Sequence, residues 1–481
     1  MDIIRIGLDF GTHQTKICVQ TTPDEGHGQP IYEFFTFKDL DGKEQYFLPS
    51  LIQVNKDDTI SYGFVDSSKE KNAQTKPVFK NNSIGKVNFD IEKTASILYN
   101  KYATNNNSTS DILVIEEMLK IRKEKLEEQE KNRYTTEQKK YESLLDEYQK
   151  KREVYRYFKQ ATFAVREWNK KIDSNTLSIW YLSYVIFLLE EKYGTNFSIN
   201  MGIPADDKSF TKKKELAVEI LLSAYNLVEN VYKNDIKSFL SESPESLLKK
   251  TEYKHYSKEA KDEYYINIFP EAYAGLVTLT SRGKLSNGMS LTADIGGGTT
   301  DISFFTIQEN HPVIYRYWSI PRGLNYIAEK SGFDFFEGNI SEQANKEIIY
   351  KYNRKKMEIV SILINDLVKQ ISCTCIPVKN LYNALKDRII VYTGGGSTLS
   401  FLTTSVCDFT DVKIVNSSMW KEENVKDKTR LSDLCQLLTT AYGLSICEND
   451  EEVKLCPFST IFFSFNKQNK EDHSMIEKEQ C

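Results

Sequence analysis

The chain has 481 residues, 40% of them hydrophobic and 27% charged, with a formal net charge of -5. That length exceeds one ordinary core and predicts two or more lobes. The acidic balance argues against a nucleic-acid binder, and no run of about 18 apolar residues predicts a membrane span. The start, "MDIIRIGLDFG", enters a strand pattern at once and lacks the pattern of a signal peptide. The eight cysteines are scattered, and Cys373 and Cys375 have no second pair at zinc spacing. Reduced thiols in a cytoplasmic protein are therefore expected.

In chain order, the first lobe is expected over 1–286. It opens with a strand from Ile3 to Leu8, the turn "DFGTHQT", and the strand "KICVQ". "YEFFTF", "YFLPSLIQV" and "TISYGF" read as further short strands. A polar linker, "YATNNNSTSD", precedes a segment from Asp111 to about Lys171 that is rich in Glu, Lys, Gln and Tyr and has no Gly or Pro. Apolar residues Ile112, Ile115, Leu119 and Leu126 form one helical stripe, and Tyr141, Leu145, Tyr148, Tyr155 and Phe158 a looser one. Thr135 and Gln138 offer a capping box between them. These features predict an antiparallel helical hairpin inserted at 105–172. It is either a solvated extension of the fold or a docking arm (111–171) for a protein partner.

The apolar helix "LSIWYLSYVIFLLEEKYG" follows, with Gly194 as its stop signal. Then come the strand "NFSINMGIPA", the helix "KSFTKKKELAVEILLSAYNL", a polar stretch over 233–263, and "INIFPEAYAGLVTL", a short strand running into a helix. The second lobe is expected over 287–432. It has a hairpin around the triple glycine of "LTADIGGGTTDISFF", a strand "VIYRYWSI", and helices near "PRGLNYIAEKSG" and 341–372. "RIIVYTGGGSTLSFL" reads as a strand, a glycine turn and a helix start. "LTTAYGLSI", within 433–447, reads as a helix connecting back to the first lobe, and 448–481 as a tail.

The segments "IIRIGLDFGTHQTKICVQ" and "LTADIGGGTTDISFF" share one plan: an apolar strand, an Asp, a glycine turn with Thr, and a second strand. A duplicated α/β unit follows from this. Glycine turns let backbone amides approach a phosphate closely, because no Cβ intervenes. An Asp before such a turn is repelled by phosphate, but it can hold the waters of a Mg²⁺ that bridges the phosphates. Asp9 and Asp294 suit such a site, facing each other from two lobes.

With these residues in view, a resemblance is specific. "IGLDFGTHQTKI" resembles the first phosphate motif of the actin, sugar-kinase and seventy-kilodalton heat-shock ATPase superfamily, and "ADIGGGTTDISFF" its second. "VYTGGGSTLSFL" is similar to the adenosine motif, and "FPEAYAGLVTL" and "LTTAYGLSI" to the two connecting helices. The heat-shock branch is the nearest in pattern, and with 35 residues after Ile446 its substrate-binding domain is not expected.

The resemblance implies a duplicated ribonuclease-H-like, actin-like fold with two lobes around a nucleotide cleft. It implies that Asp9 and Asp294 organise Mg²⁺ and its waters. Thr12, Thr299 and the glycines Gly11, Gly296, Gly297 and Gly298 would hold the phosphates of ATP or ADP, and Gly395, Gly396 and Ser397 would pass the adenosine. Glu271 falls where the family places a glutamate near the metal and the attacking water. The family's first-lobe lysine has its nearest string in "FKNNSIGK", which makes Lys80 the candidate and Lys86 a second choice. His13 stands where a small or hydroxyl residue is common.

The function this implies is a slow ATPase whose lobe closure switches binding to a protein partner. The alternatives are a filament-forming segregation protein of actin type, which the Gly-Ile-Pro at 202–204 also resembles, and a nucleotide-binding regulator without hydrolysis. No acceptor signature for a small-molecule kinase is present.

Overall fold

The computed structural model describes residues 2–23, 29–71, 153–163, 166–204, 208–280, 290–308, 311–333, 339–372, 388–407, 409–415, 425–426 and 431–450, with isolated residues at 206, 453 and within 117–144. The chain divides into two units, 74–151 and the remainder. The larger unit holds both of the five-strand sheet paths described below. Within 74–151, residues 117–125 are helical.

The first lobe is built on β1 (Ile3–Phe10), β2 (Gln14–Thr22) and β3 (Ile31–Phe34). Short pairs follow at β4 (Phe37–Lys38), β5 (Glu44–Gln45) and β6 (Leu48–Pro49), then β7 (Leu51–Val54) and β8 (Ile60–Tyr62). After the smaller unit come β9 (Val154–Arg156), α1 (Phe158–Thr162), α2 (Ser174–Tyr193), β10 (Ser198–Ile203), α3 (Phe210–Tyr225) and β11 (Ile266–Pro270). The stretch 233–263 carries three short helices. The sheet order is β3-β2-β1-β10-β11, antiparallel through β3, β2 and β1 and parallel from β1 onward.

The α2 helix is capped by Asp173, whose Oδ1 accepts from the Thr176 amide at 2.9 Å, and it ends at Gly194 with φ 74°. It is buried on nearly every side, so its apolar residues show no single stripe. Its aromatic and aliphatic side chains fill the first-lobe core with Ile6, Leu8, Ile199 and Met201.

From β11 the chain passes without a loop into α4 (Glu271–Thr280). The second lobe repeats the plan with β12 (Ser290–Ile295), β13 (Thr300–Gln308) and β14 (His311–Ile320), then α5 (Leu324–Ser331), α6 (Lys346–Ser372), β15 (Ile389–Thr393) and β16 (Asp411–Ile414). Its sheet order, β14-β13-β12-β15-β16, is the first sheet's order over again, with β12, β15 and β16 parallel. A last helix, α7 (Cys435–Ile446), packs on β1 and β2 of the first lobe, while α4 packs on the second-lobe strands β12–β14. The two helices also pack on each other. A Cβ on Gly443 would collide with the Ala274 carbonyl, and one on Gly7 with the backbone of Ala441 and Ser445, so glycine sets both close approaches.

One expectation is corrected. The predicted helical hairpin does not extend to 172. Residues 154–156 are a strand, β9, which pairs antiparallel with β7, and only the five residues of α1 are helical after it before the break at Phe163. Tyr155 and Phe158 coincide with a helical spacing, but both are buried in the first-lobe core. The apolar run "VYRYF" is strand-forming, and pairing with β7 decides its state.

Candidate functional site

The Asp–glycine turns of the two sheets meet at one cavity of about 170 Å³. Asp9 and the turn residues Gly11, Thr12 and His13 come from the end of β1 and the start of β2. Asp294 and Gly296–Thr299 come from the end of β12 and the turn before β13. Glu271, Lys16, Lys159, Gly394, Gly395, Leu437 and Thr440 also line the cavity. Residues far apart in sequence are thus brought together because the β1–β2 and β12–β13 turns lie at the facing ends of two equivalent sheets.

The turns are tight. The Gly11 amide donates to the Asp9 carbonyl at 3.0 Å, and the Ser50 hydroxyl donates to the Gly11 carbonyl at 2.6 Å. A Cβ on Gly11 would run into the Gln14 carbonyl, and one on Gly298 would come within 2.6 Å of Thr12 Oγ1. The Gly296 amide bonds the Thr299 carbonyl at 2.9 Å. This is a cradle that side chains would fill, and it suits phosphate oxygens.

Carboxylates and ammonium groups are interleaved around it. Lys16 Nζ donates to Asp9 Oδ2 at 2.8 Å. Burial alone would lower the Lys16 ammonium, but Asp9, helped by Asp294 and Glu271, holds it above its ordinary value. Lys159 pairs with Glu271, and both are largely buried. Burial raises the Glu271 carboxyl, and Lys159 offsets only part of that shift.

Asp294 accepts from the Thr440 hydroxyl at 3.1 Å and is pushed up to about 7 by burial, with Glu271 and Asp9 adding repulsion. Asp301 stands directly opposite Asp294 across the hairpin. Burial and the nearby Glu271 push it up to about 8. The Thr299 hydroxyl donates to Asp301 Oδ2 at 2.8 Å, so its proton faces away from the cavity and toward the acid behind it.

These acids make stability depend on pH. The folded-state value of Asp294 lies above the ordinary carboxylate value of about 3.9. The folded chain therefore binds a proton that the unfolded chain has lost, and stability falls as pH rises between the two values. Without nucleotide, Asp294→Asn should flatten the fall in melting temperature from about pH 4 to pH 7. An identical slope in wild type and variant, followed by circular dichroism, would refute this.

A divalent cation fits this donor set. Asp9 and Asp294 face the cradle with a surplus of carboxylates over ammonium groups, Asp9, Glu271 and Asp294 against Lys16 and Lys159. Among the described residues no three His, Cys, Asp or Glu side chains form a metal cage by themselves. A Mg²⁺ held by one or two carboxylates, phosphate oxygens and waters matches that pattern.

Not every sequence-predicted residue reaches the cavity. Gly396 and Ser397 lie behind it. The Ser397 hydroxyl donates to the Gly394 carbonyl at 2.7 Å, and a Cβ on Gly396 would meet the Ile295 side chain. Gly394, with φ 77°, and Gly395 line the cavity instead. Lys80 and Lys86 lie outside the described residues.

The lysine beside Glu271 is Lys159, which falls inside the hairpin expected at 105–172. Lys16 was also missed, although it lies two residues beyond the turn "GTHQ" on β2, where alternation could have pointed it toward Asp9. His13 is buried at the joint between the lobes, and its Nε2 bonds Asn325 Oδ1. Burial and the nearby Arg156, Lys16 and Arg166 keep the imidazole neutral.

No protein-family model and no curated protein matches the chain. Among solved structures, it is similar to an archaeal actin homologue in complex with ADP, at 14% identity and a TM-score of 0.36, covering 92% of this chain and 98% of that one. It is also similar to a 15-stranded ParM filament from Clostridium botulinum, at 13% identity and a TM-score of 0.35, covering 93% of this chain and 99% of the other. At this level of likeness neither structure bears on what this chain binds or does. Among the described residues no helix is long and apolar enough to cross a membrane.

Proposed function

We propose that the chain is an actin-like, heat-shock-like ATPase module that binds ATP with Mg²⁺ between its lobes, hydrolyses it slowly and switches a protein interaction with its nucleotide state. The observation that carries this reading is the meeting of two Asp–glycine turns, one from each repeat, at a single cavity that also holds Glu271, Lys16 and Lys159.

The amides of Gly297 and Gly298 and the Thr12 hydroxyl bind phosphate oxygens, and Gly11, whose amide is held by the Asp9 carbonyl, leaves room for them to approach. Lys16 and Lys159 offset phosphate charge in a site where burial strengthens each interaction. Glu271, the first residue of α4, accepts a hydrogen bond from a water and orients it for in-line attack on the terminal phosphate. Asp9 and Asp294 would hold the Mg²⁺, which when bound neutralises phosphate charge and fixes phosphate geometry. Gly394 and Gly395 give the nucleoside a close backbone edge. The smaller unit, 74–151, is assigned to the protein partner.

Thermal melting with and without ligand tests the reading. Ligand at a hundred times its dissociation constant stabilises the folded state by about 2.7 kcal/mol. Millimolar ATP with Mg²⁺ should therefore raise the melting temperature by several degrees, and Asp9→Ala with Asp294→Ala should remove the shift. A wild-type chain that shows no shift would sink the nucleotide reading. A shift without phosphate release would make the chain a non-hydrolysing regulator.

A further inference from the structure

The first sheet has one apolar face and one polar face. Ile6, Ile199, Ile266 and Ile268 lie in the core with α2. By strand alternation the other face carries Arg5, Ser198, Asn200 and Asn267, in register across β1, β10 and β11. The α7 helix covers part of this face: Asn200 Nδ2 donates to the Leu444 and Cys447 carbonyls at 2.7 Å each, and the helix ends at Ile446. Past that end, Arg5, Ser198 and Asn267 floor a cavity of about 630 Å³, within the roughly 300–1,000 Å³ of small-molecule sites. It lies at the starts of β1 and β11, strands whose far ends carry Asp9 and lead into Glu271. The two cavities are therefore separate.

The side chains here say more than the volume. Arg5 is half-buried, its Nη1 donates to the neutral Gln20 Oε1 at 3.0 Å, and among the described residues no carboxylate pairs with it. A guanidinium with most of its donors unused matches a carboxylate. Lys261 differs, because its Nζ is held by the buried Asp450 at 2.8 Å. The exposed rim holds three acids, Asp2, Asp262 and Glu448, against one base, Lys258. Tyr265 stands at the mouth with φ 49° and 64% of it exposed. A bulky side chain seldom holds that left-handed backbone, and such strain gathers at binding sites. With the exposed Ile3 it gives the mouth an apolar edge.

We infer that this cavity is a second binding site, for a small zwitterion of the amino-acid or dipeptide class. Its carboxylate pairs with Arg5, its ammonium faces Asp262 and Glu448, and its apolar side chain lies on Tyr265 and Ile3. The charges set the class. A plain anion meets a rim with surplus acids, and a plain cation meets the unpaired guanidinium on the floor. A ligand with both charges satisfies both. The site stands independently of the nucleotide reading, since none of its residues lines the cavity of the glycine turns.

Ligand-detected NMR titration of the full chain tests this, with L-phenylalanine and L-leucyl-L-phenylalanine as probes. At least one probe should bind saturably. Its C-amide should bind about tenfold more weakly or worse, and its N-acetyl form about three- to fivefold more weakly. Arg5→Met should cost the free probe about tenfold and leave the C-amide unchanged. Asp262→Asn with Glu448→Gln should cost the free probe about three- to fivefold and leave the N-acetyl form unchanged. Tyr265→Gly, relieved of its left-handed strain, should melt at or above wild type and still bind the probe more weakly. If Arg5→Met does not fold, the derivatives and Tyr265→Gly still decide. A wild-type chain that binds neither probe, or binds both derivatives as well as the free probe, would overturn the site. So would binding that survives Arg5→Met but is lost in Asp294→Ala, because it would place the probe in the cavity of the glycine turns.

Discussion

Replacing Lys159 by Met should lower ATP turnover by about 10²- to 10³-fold, the usual loss when one preorganised charge is removed from a transition state. Lys159 reaches the cavity from α1 and pairs with Glu271, and only 3% of its side chain is exposed. Removing it also leaves a buried carboxylate uncompensated, which typically costs about 3–5 kcal/mol. A single variant could therefore lose activity by unfolding. The double variant Lys159→Met/Glu271→Gln removes the stranded charge and should recover most of the melting temperature without recovering turnover. Lys80→Ala is the matching control, since the resemblance of "FKNNSIGK" to the family's lysine pattern pointed there. Turnover that survives Lys159→Met but not Lys80→Ala, in single-turnover phosphate release, would return the role to Lys80.

The second large effect concerns where the inserted unit ends. The Lys71 amide donates to the Val54 carbonyl at 3.0 Å, and the Val54 amide donates to the Glu153 carbonyl at 2.9 Å. Both ends of the insertion are thus pinned to one residue of β7. A linker of about four Gly and Ser residues can join them as a hairpin loop would, and loop closure adds little cost. Replacing 74–151 by that linker should leave a chain that melts within a few degrees of wild type and still turns over ATP.

Extending the deletion to 171, where charge and periodicity place the end of the helical arm, should give an insoluble or inactive chain. It takes away β9, the buried Phe158 and Lys159. Circular dichroism melting and phosphate release on the two deletions read both outcomes. A folded, active chain after the longer deletion would show that β9 and α1 are dispensable. An unfolded chain after the shorter one would make 74–151 part of the core. If the shorter deletion keeps turnover, comparing it with wild type also shows whether 74–151 carries the protein partner.

The sequence by itself determined the parts of this protein whose chemistry is local. The turns after Asp9 and Asp294 are legible because a tight turn between two strands needs glycine at fixed offsets from a strand end. Their repetition revealed two equivalent sheets, and the two sheets share one strand order. The apolar α2 helix, with Asp173 at one end and Gly194 at the other, is legible for the same local reason.

Only the tertiary structure decided what depends on pairing across long separations. "VYRYF" sits on a helical spacing, but β9 forms because β7 offers it a free strand edge. Lys159 looked like one more charge in a polar helix until that pairing turned α1 toward Glu271, 112 residues away. Ser397 stands beside the glycines of its motif, yet its hydroxyl caps its own turn at Gly394 and leaves the cavity wall to Gly395. His13 and Asn325 are separated by 312 residues and carry no motif of their own. They meet because two sheets with the same plan face each other, and nothing short of that arrangement places an imidazole against a glycine turn of the opposite lobe.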